Sequence, residues 1–359
     1  MAKALEHIVC AKCGYGYTLT AAEAKAEKLC RNCIQPLVRR AKPRGLVKAS
    51  DIPFMKQLAR ELRPSPIKER LVEAAAAQFE HPDDPLSILY QHTAFCQTTL
   101  PYRDPGSEVR VWERSNGDVH LKVTAGDVLD PDTGGFVPVG LPFGPKARLV
   151  LMHINQQAIV SQSPIIEVQS SLTKFVHRTL KLDPNGRTIR SVKDQLTRLA
   201  AASIRLGLVR DGHAYTVNSQ IVNSFDIWFK PGDPLQVRWP SRVRLSLDYW
   251  ETLKEHAVPL NEAAIAALSH NAMALDIYAW LAQRLHRVPH GKPAFIAWTL
   301  LHVQFGLNYG RLNHFRAVFK DALKQVFLVY PAARFKVNRR GITLWNSPPP
   351  VRRGGCGKA

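Results

Sequence analysis

Two hydrophobic periods divide this chain into elements. Along residues 309 to 327, YGRLNHFRAVFKDALKQVF, the residues Leu312, Phe315, Phe319, Ala322 and Val326 recur at spacings of three and four, the stripe with which a helix faces a core. Asn313, Arg316, Lys320 and Lys324 recur at the same spacings and form a second, polar stripe roughly 120° round the helix. Such a stripe faces either solvent or an anion. Upstream, MALDIYAWLAQRL has the pattern of an amphipathic helix, AFIAW that of a short strand, and WTLLHVQFG that of a helix broken at Gly306. Downstream, ARFKVNRRGITLW alternates apolar and polar positions on both sides of an expected Arg340-Gly341 turn, as a hairpin does. Helix, helix-turn-helix and hairpin in this order predict a winged helix, whose second turn-unit helix enters a major groove while the hairpin lies on phosphates. Asn313 and Arg316, near the helix start, would then reach base edges, and Lys320 and Lys324 the backbone. Arg311 before the helix and Arg334, Lys336, Arg339 and Arg340 on the wing carry charge of the same sign.

The same order recurs earlier. ARLVLMHINQQAIV, SLTKFVHRTL and RTIRSVKDQLTRLAAASIRL precede a strand pair, IRLGLVRDGHAYTVN. Val192, Leu196, Leu199 and Ser203 form the expected buried stripe, with Arg187, Arg190, Lys193 and Arg198 on other faces and Asp194 diluting their charge. Two roles stay open for this copy: contact with DNA through Arg187, Arg190 and Lys193, or packing and dimerisation. The apolar residues Ile221, Val222, Phe225, Ile227, Trp228 and Phe229 after its wing suit either a dimer surface or the copy's own core. Between residues 101 and 142 short strands alternate with turn signals, of which Asn116-Gly117 and Gly134-Gly135 suit hairpins. Residues 51 to 95 carry helical signals, including KERLVEAAAAQFE, interrupted by prolines.

The amino-terminal region adds a different chemistry. Cys10, Cys13, Cys30 and Cys33 form the knuckles CAKC and CRNC, separated by sixteen residues. Two such knuckles can hold four thiolates tetrahedrally around one structural Zn²⁺, in a closed site with no catalytic position. A redox pair or disulfides are the rival reading, disfavoured where no secretory signal leads the chain out of a reducing compartment. The segment that follows, IQPLVRRAKPRGLVKAS, reads as a basic linker.

Composition gives these features a common partner. Lys plus Arg number 49 and Asp plus Glu 29, a formal net charge of +20, so the field favours a polyanion and drives DNA binding by counterion release. An anionic membrane fits less well: no apolar run reaches about 18 residues and no long basic amphipathic helix is present, so a cytoplasmic chain without a membrane partner is expected. Known catalytic patterns are missing. No His-x-His pair for a rolling-circle nuclease occurs, the terminal GCGKA lacks the first glycine and the hydroxyl of a phosphate-binding loop, and no His-x-Glu precedes the cysteines as in a zinc deaminase. No enzyme is expected.

Several long blocks resemble one family. LPYRDPGSEVRVWERSNGDVHLKVTAG, LDPDTGGFVPVGLPFGPKARLVLMHINQQAIV, WPSRVRLSLDYWE, NAMALDIYAWLAQRL and FRAVFKDALKQVFLVYP, in this order over about residues 95 to 350, are similar to the RepA-type plasmid replication initiators. That resemblance implies tandem winged-helix domains that bind repeated double-stranded sites at a plasmid origin, open the neighbouring DNA, recruit host helicase and primase, and regulate their own promoter and plasmid copy number as monomers and homodimers. It implies a bacterial, plasmid- or nucleoid-associated location and no catalysis. The four-cysteine segment is not part of the pattern. The expectation is an α+β chain: a zinc-ribbon-like module over 1–36, a basic linker over 37–50, a helical segment followed by β-hairpins over 51–137, a first winged helix over 138–235, a second over 236–347, and a flexible tail over 348–359. A winged-helix transcriptional repressor and a zinc-bearing docking adaptor are the alternatives.

Overall fold

The computed structural model describes residues 5–10, 16–20, 37–39, 67, 69–74, 88–130, 133–167, 172–210, 213–220, 222–225, 242–306 and 309–351. The chain divides into two units, Met1–Arg63 and Pro64–Ala359. In the first, β1 (Leu5–Cys10) pairs antiparallel with β2 (Gly16–Thr20) on one side and β3 (Leu37–Arg39) on the other. Cys10 ends β1 opposite Leu37, while Cys13, Cys30 and Cys33 lie outside the described residues, as does the linker beyond β3.

The second unit is mixed α+β. Residues 69–74 form a helical run with Leu71 and Ala74 buried, within the Ala-rich stretch expected to be helical. Next comes β4 (Ile88–His92), a strand inside the range expected to be helical, followed at once by α1 (Thr93–Gln97), whose first turn is capped by the His92 ring accepting from the Ala94 amide. β5 (Val111–Asn116) and β6 (Val119–Thr124) make the expected hairpin around Gly117, which takes a positive φ. A second ribbon, β7 (Asp127–Leu129) and β8 (Phe136–Pro138), turns at Gly134 in the same way.

The first repeat of helices then begins. α2 (Gly144–Ser161) starts with proline in its first turn, where no amide bond is lost. It is followed by β9 (Ile165–Glu167), by α3 (Leu172–Lys174), which continues as a π turn over Phe175–Thr179, and by α4 (Gly186–Ala201), capped by the Asn185 side chain accepting from the Thr188 amide. Val192, Leu196 and Leu199 are buried as expected, but Ser203 is not on this helix. Ala202 is extended and Ser203 opens β10 (Ser203–Arg210), because that strand pairs with β6 from its first residue. β10 also pairs with β11 (His213–Gln220), so the sheet runs β11-β10-β6-β5 and joins a hairpin from residues 111–124 to one from 203–220. β12 (Val222–Phe225) pairs with β13 (Arg242–Leu245), which in turn pairs with β9.

α5 (Leu247–His256), capped by Ser246, leads into β14 (Ala257–Asn261), which pairs with β4, and then into α6 (Glu262–Leu268). α7 (Ala272–Arg284) departs from the amphipathic expectation: Ala272 through Gln283 are all buried, because α1, α2, α6, α9 and β14 pack around it. β15 (Ala294–Ala297), α8 (Trp298–Phe305), α9 (Leu312–Val329), β16 (Phe335–Val337) and β17 (Gly341–Leu344) complete the second repeat, with the sheet order β15-β17-β16. The tail expected to be flexible from 348 is packed as far as Val351, which is buried, and Pro348 accepts a 2.6 Å hydrogen bond from the Tyr330 hydroxyl. No described helix is long and apolar enough to cross a membrane.

Candidate nucleic-acid interface

The second repeat is organised around Trp298. Its indole is buried between α8 and α9, edge-on to Phe315 and Phe319. Its backbone amide donates to the Arg340 carbonyl and its Nε1 to the Asn338 carbonyl, both at 3.1 Å. Between those two residues, the Arg339 carbonyl accepts from Arg316 Nη2 at 2.6 Å, while the Arg316 guanidinium lies 5.4 Å from the Trp298 ring centre. Three successive carbonyls of the β16–β17 turn are thus gripped by the helix pair, and hairpin and helix are one piece.

The turn itself spans Asn338 to Arg340 rather than the expected Arg340-Gly341. The Asn338 side chain accepts from the amides of Arg340 at 2.8 Å and Gly341 at 2.9 Å, closing an Asx turn, and Gly341 already belongs to β17. Glycine is required there by packing: an added Cβ would lie 2.0 Å from the Ile296 carbonyl oxygen of β15.

On this scaffold the sequence-named residues fall into two groups. Arg311 just before α9, Asn313, Lys320 and Lys324 on α9, and Arg334, Lys336, Arg339 and Arg340 on the hairpin are exposed. Arg334 and Lys336 point away from the core while Phe335 and Val337 are half-buried, the period of a strand with one wet face. Among the described residues none of these cations is in an ion pair. Arg316 is different, half-buried and committed in part to the turn, although a guanidinium has five donors and, among the described residues, only one is used in a hydrogen bond. No side chain caps α9 and its first turn holds no acid, so the positive end of the helix adds to the field. Trp298 is the organising residue that sequence reading missed; a tryptophan at a strand-to-helix junction ahead of the apolar stripe was the available signal.

The first repeat keeps Arg187 and Arg190 exposed at the start of α4 and Lys193 half-buried, where desolvation lowers its pKa. Arg198 is fully engaged in structure: it binds Asp194 at 2.9 Å, Asp104 at 3.3 Å and the Leu141 carbonyl at 3.2 Å, with its guanidinium near the Phe143 ring. Lys122 pairs with Glu113 on the polar face of the four-stranded sheet, beside an open cavity of about 400 Å³ that Arg205 also lines. His302 donates from Nε2 to the Tyr309 carbonyl at 2.8 Å and packs on Phe315, and His314 is exposed. No group of three or more His, Cys, Asp or Glu able to hold a metal occurs among the described residues.

No curated protein matches the chain. Two solved structures are similar in part, each by a TM-score below one half. RctB domains 2–3, residues 155–483 of that protein, share 9% identity at a TM-score of 0.43 over 69% of this chain and 93% of the other. A selenomethionine derivative of RctB domain 2 and domain 3 shares 7% at 0.44 over 68% and 94%. The model of the plasmid encoded RepA protein family matches residues 141–300, a span that ends within α8 and before α9. Residues 141–300, from the loop after β8 to the third residue of α8, are therefore similar to the plasmid encoded RepA protein family, the family that the sequence blocks resemble.

Proposed function

We propose that the chain is a plasmid replication initiator that binds repeated double-stranded sites at the origin, opens the neighbouring DNA, brings host helicase and primase to it, and represses its own promoter. The observation that carries this reading is the union of α9 and the β16–β17 turn through Trp298 and Arg316, with exposed cations on both that are in no ion pair among the described residues. In this reading residues 236–347 act as a winged helix: α9 enters the major groove, Asn313 and the free donors of Arg316 meet base edges, and Arg311, Lys320, Lys324, Arg334, Lys336, Arg339 and Arg340 hold phosphates. Residues 138–235 act as the companion winged helix, with Arg187, Arg190 and Lys193 toward DNA and the apolar residues around Val222 and Phe225 toward a second copy; Ile221, Ile227, Trp228 and Phe229 lie outside the described residues. No step of this function is catalysed by the chain, and the protein works in the bacterial cytoplasm.

Zinc belongs to the same proposal as a structural ion on Cys10, Cys13, Cys30 and Cys33. The backbone pairing supports it, since the first knuckle falls where β1 gives way to β2, and β3, just after the second knuckle, lies against Cys10. Metal analysis of reduced protein should give about one zinc per chain, lost in the Cys30→Ser, Cys33→Ser double variant. A zinc content near zero in the parent removes the ion from the proposal.

Footprinting on the DNA flanking the protein's own gene tests the central reading. Protected repeats at helical-turn spacing, with permanganate-reactive thymines beside them, are expected. Protection without opening would make the protein a repressor, and no preferred site would leave the zinc-bearing docking adaptor. Lys320→Ala should weaken all sequences alike and lower the salt slope by roughly one.

A further inference from the structure

The two repeats are joined by a buried ion pair at matching positions. Arg148 is the fifth residue of α2 and Asp276 the fifth of α7, the helices that open the two repeats. Arg148 donates from Nε to Oδ1 of Asp276 at 2.7 Å and from Nη2 to Oδ2 at 2.8 Å, a bidentate pair whose side chains are 2% and 7% exposed. Its other donors reach carbonyls of Leu100 at 2.8 Å, Gly144 at 2.9 Å and Pro101 at 3.2 Å, so all five are used. The strap that supplies two of those carbonyls is itself shared. The Gln97 carbonyl accepts from Asn116 of the β5–β6 hairpin at 3.1 Å and from Gln304 of α8 at 2.9 Å, and the Thr99 carbonyl accepts from Trp112 of β5 at 2.7 Å.

An apolar seam of equal size would let two helices slip by fractions of a turn at small cost. A buried bidentate pair does not, because any displacement leaves a charge without its partner in a dry interior. We propose that the Arg148–Asp276 pair, with the strap it grips, fixes the separation and angle of α4 and α9 and thereby the spacing of the two DNA segments that one chain reads. The inference rests on the DNA-binding reading of both repeats. Arg148 and Asp276 are positioning residues in it and touch no DNA.

The test uses the full chain and a duplex selected by the parent from a randomised library. Base pairs are inserted one at a time between the two protected segments, and a shorter duplex retains only the segment covered by α9. The parent should lose affinity with insertion and recover it near a full helical turn. Asp276→Asn, nearly isosteric, should bind the selected duplex about tenfold more weakly, because linked binding loses its preorganisation, with a flattened response to insertion and unchanged affinity for the short duplex. If Asp276→Asn does not fold by circular dichroism, Gln304→Ala, which removes one strap bond, should show the same flattening to a smaller degree. A parent indifferent to spacing overturns the inference while leaving DNA binding intact, and so does a folded variant that keeps the parent's spacing profile. A parent that selects no DNA overturns the underlying reading as well.

Discussion

The two repeats run helix, strand, helix, helix and hairpin in the same order, yet they close their sheets differently. In the second, β15 returns to its own hairpin, so the sheet β15-β17-β16 is complete within residues 294–344 and β16 is left as an edge with Arg334 and Lys336 outward. In the first, β9 leaves to pair with β13, and the hairpin β10–β11 takes β6 and β5 as neighbours, which makes β10 an interior strand. The charges differ in part, since Arg187 and Arg190 of the first repeat are exposed and, among the described residues, in no ion pair either. Arg198 is tied to Asp104 and Asp194, Lys122 to Glu113 and Arg110 to Asp127, whereas the cations of α9 and its hairpin are in no ion pair among the described residues. The helix starts differ too, since the Asn185 side chain caps α4 and no side chain caps α9. One element order has been built once with its hairpin inside a shared sheet and its helix start capped, and once with its hairpin at an edge and its helix start uncapped.

Four measurements break or sharpen that contrast. The largest effect is expected from Trp298→Ala, which empties a buried indole site between Phe315 and Phe319 and releases the Asn338 carbonyl of the turn. Unfolding in urea should show a loss of about 3–5 kcal/mol, and Trp298→Phe should lose much less. A cost under about 1 kcal/mol for the alanine variant would mean that hairpin and helix are held by something else.

Acid should act on the first repeat and its surroundings. Burial lowers the pKa of His92, at the head of α1, to about 3 and that of His153, in α2, to about 4, both from 6.5. Both rings are neutral when folded, and the unfolded chain takes up protons first as pH falls through 6.5. Stability is therefore unaffected by these groups above that pH and declines below it, by up to about 1.4 kcal/mol per pH unit for each ring. Urea midpoints measured from pH 7 downward should show this slope, reduced in His153→Gln; an unchanged slope in that variant would clear His153 of any part in it.

Next in size is a paired comparison of Arg316→Ala with Arg190→Ala on selected DNA. Arg316→Ala should cost about 1–3 kcal/mol of specific binding and relax the preference at one base, through lost base contact and a loosened turn. Arg190→Ala should cost less and weaken all sequences alike. Equal losses would erase the distinction between the repeats. The smallest effect belongs to the helix starts: Asn185→Ala should lower stability by about 1 kcal/mol through its lost cap, and Arg311→Ala by a few tenths at most. Thermal melts of both variants would expose any hidden cap on α9.

Much of this was legible in the sequence where one face of one element decides the outcome. The apolar stripe of α9, the break of α8 at Gly306, the hairpins at Gly117 and Gly134, and the outward cations of β16 are each fixed by local periodicity or by a backbone that only glycine or asparagine adopts readily. The family blocks were legible for the same reason, as long patterns of such local choices. The placing of Arg187 and Arg190 off the buried stripe of α4 was also readable from the helical period, although Lys193 and Arg198, read in the same way, are half-buried.

What local pattern cannot state is which distant element covers a face. MALDIYAWLAQRL carries Tyr, Asp and Gln that suggest a wet side, but α7 is covered on all sides, with Tyr278 bonded to the Asn261 amide and Asp276 to Arg148. Ser203 reads as the next turn of a helix until β6 is there to pair with it. Arg316 and Arg198 are each a cation near an apolar stripe; Asp194 lies within reach of Arg198 on the same helix, but only the fold gives Arg316 a turn carbonyl with donors to spare and Arg198 the second carboxylate of Asp104. The sequence by itself determined most of the elements, the family resemblance and the sign of the surface, since these depend on neighbours within a few residues. The tertiary structure decided the sheet partners, the fate of most of the cations and the Arg148–Asp276 seam, because those energies arise largely between groups on different elements, 128 residues apart for the seam, that become neighbours only when the chain is folded.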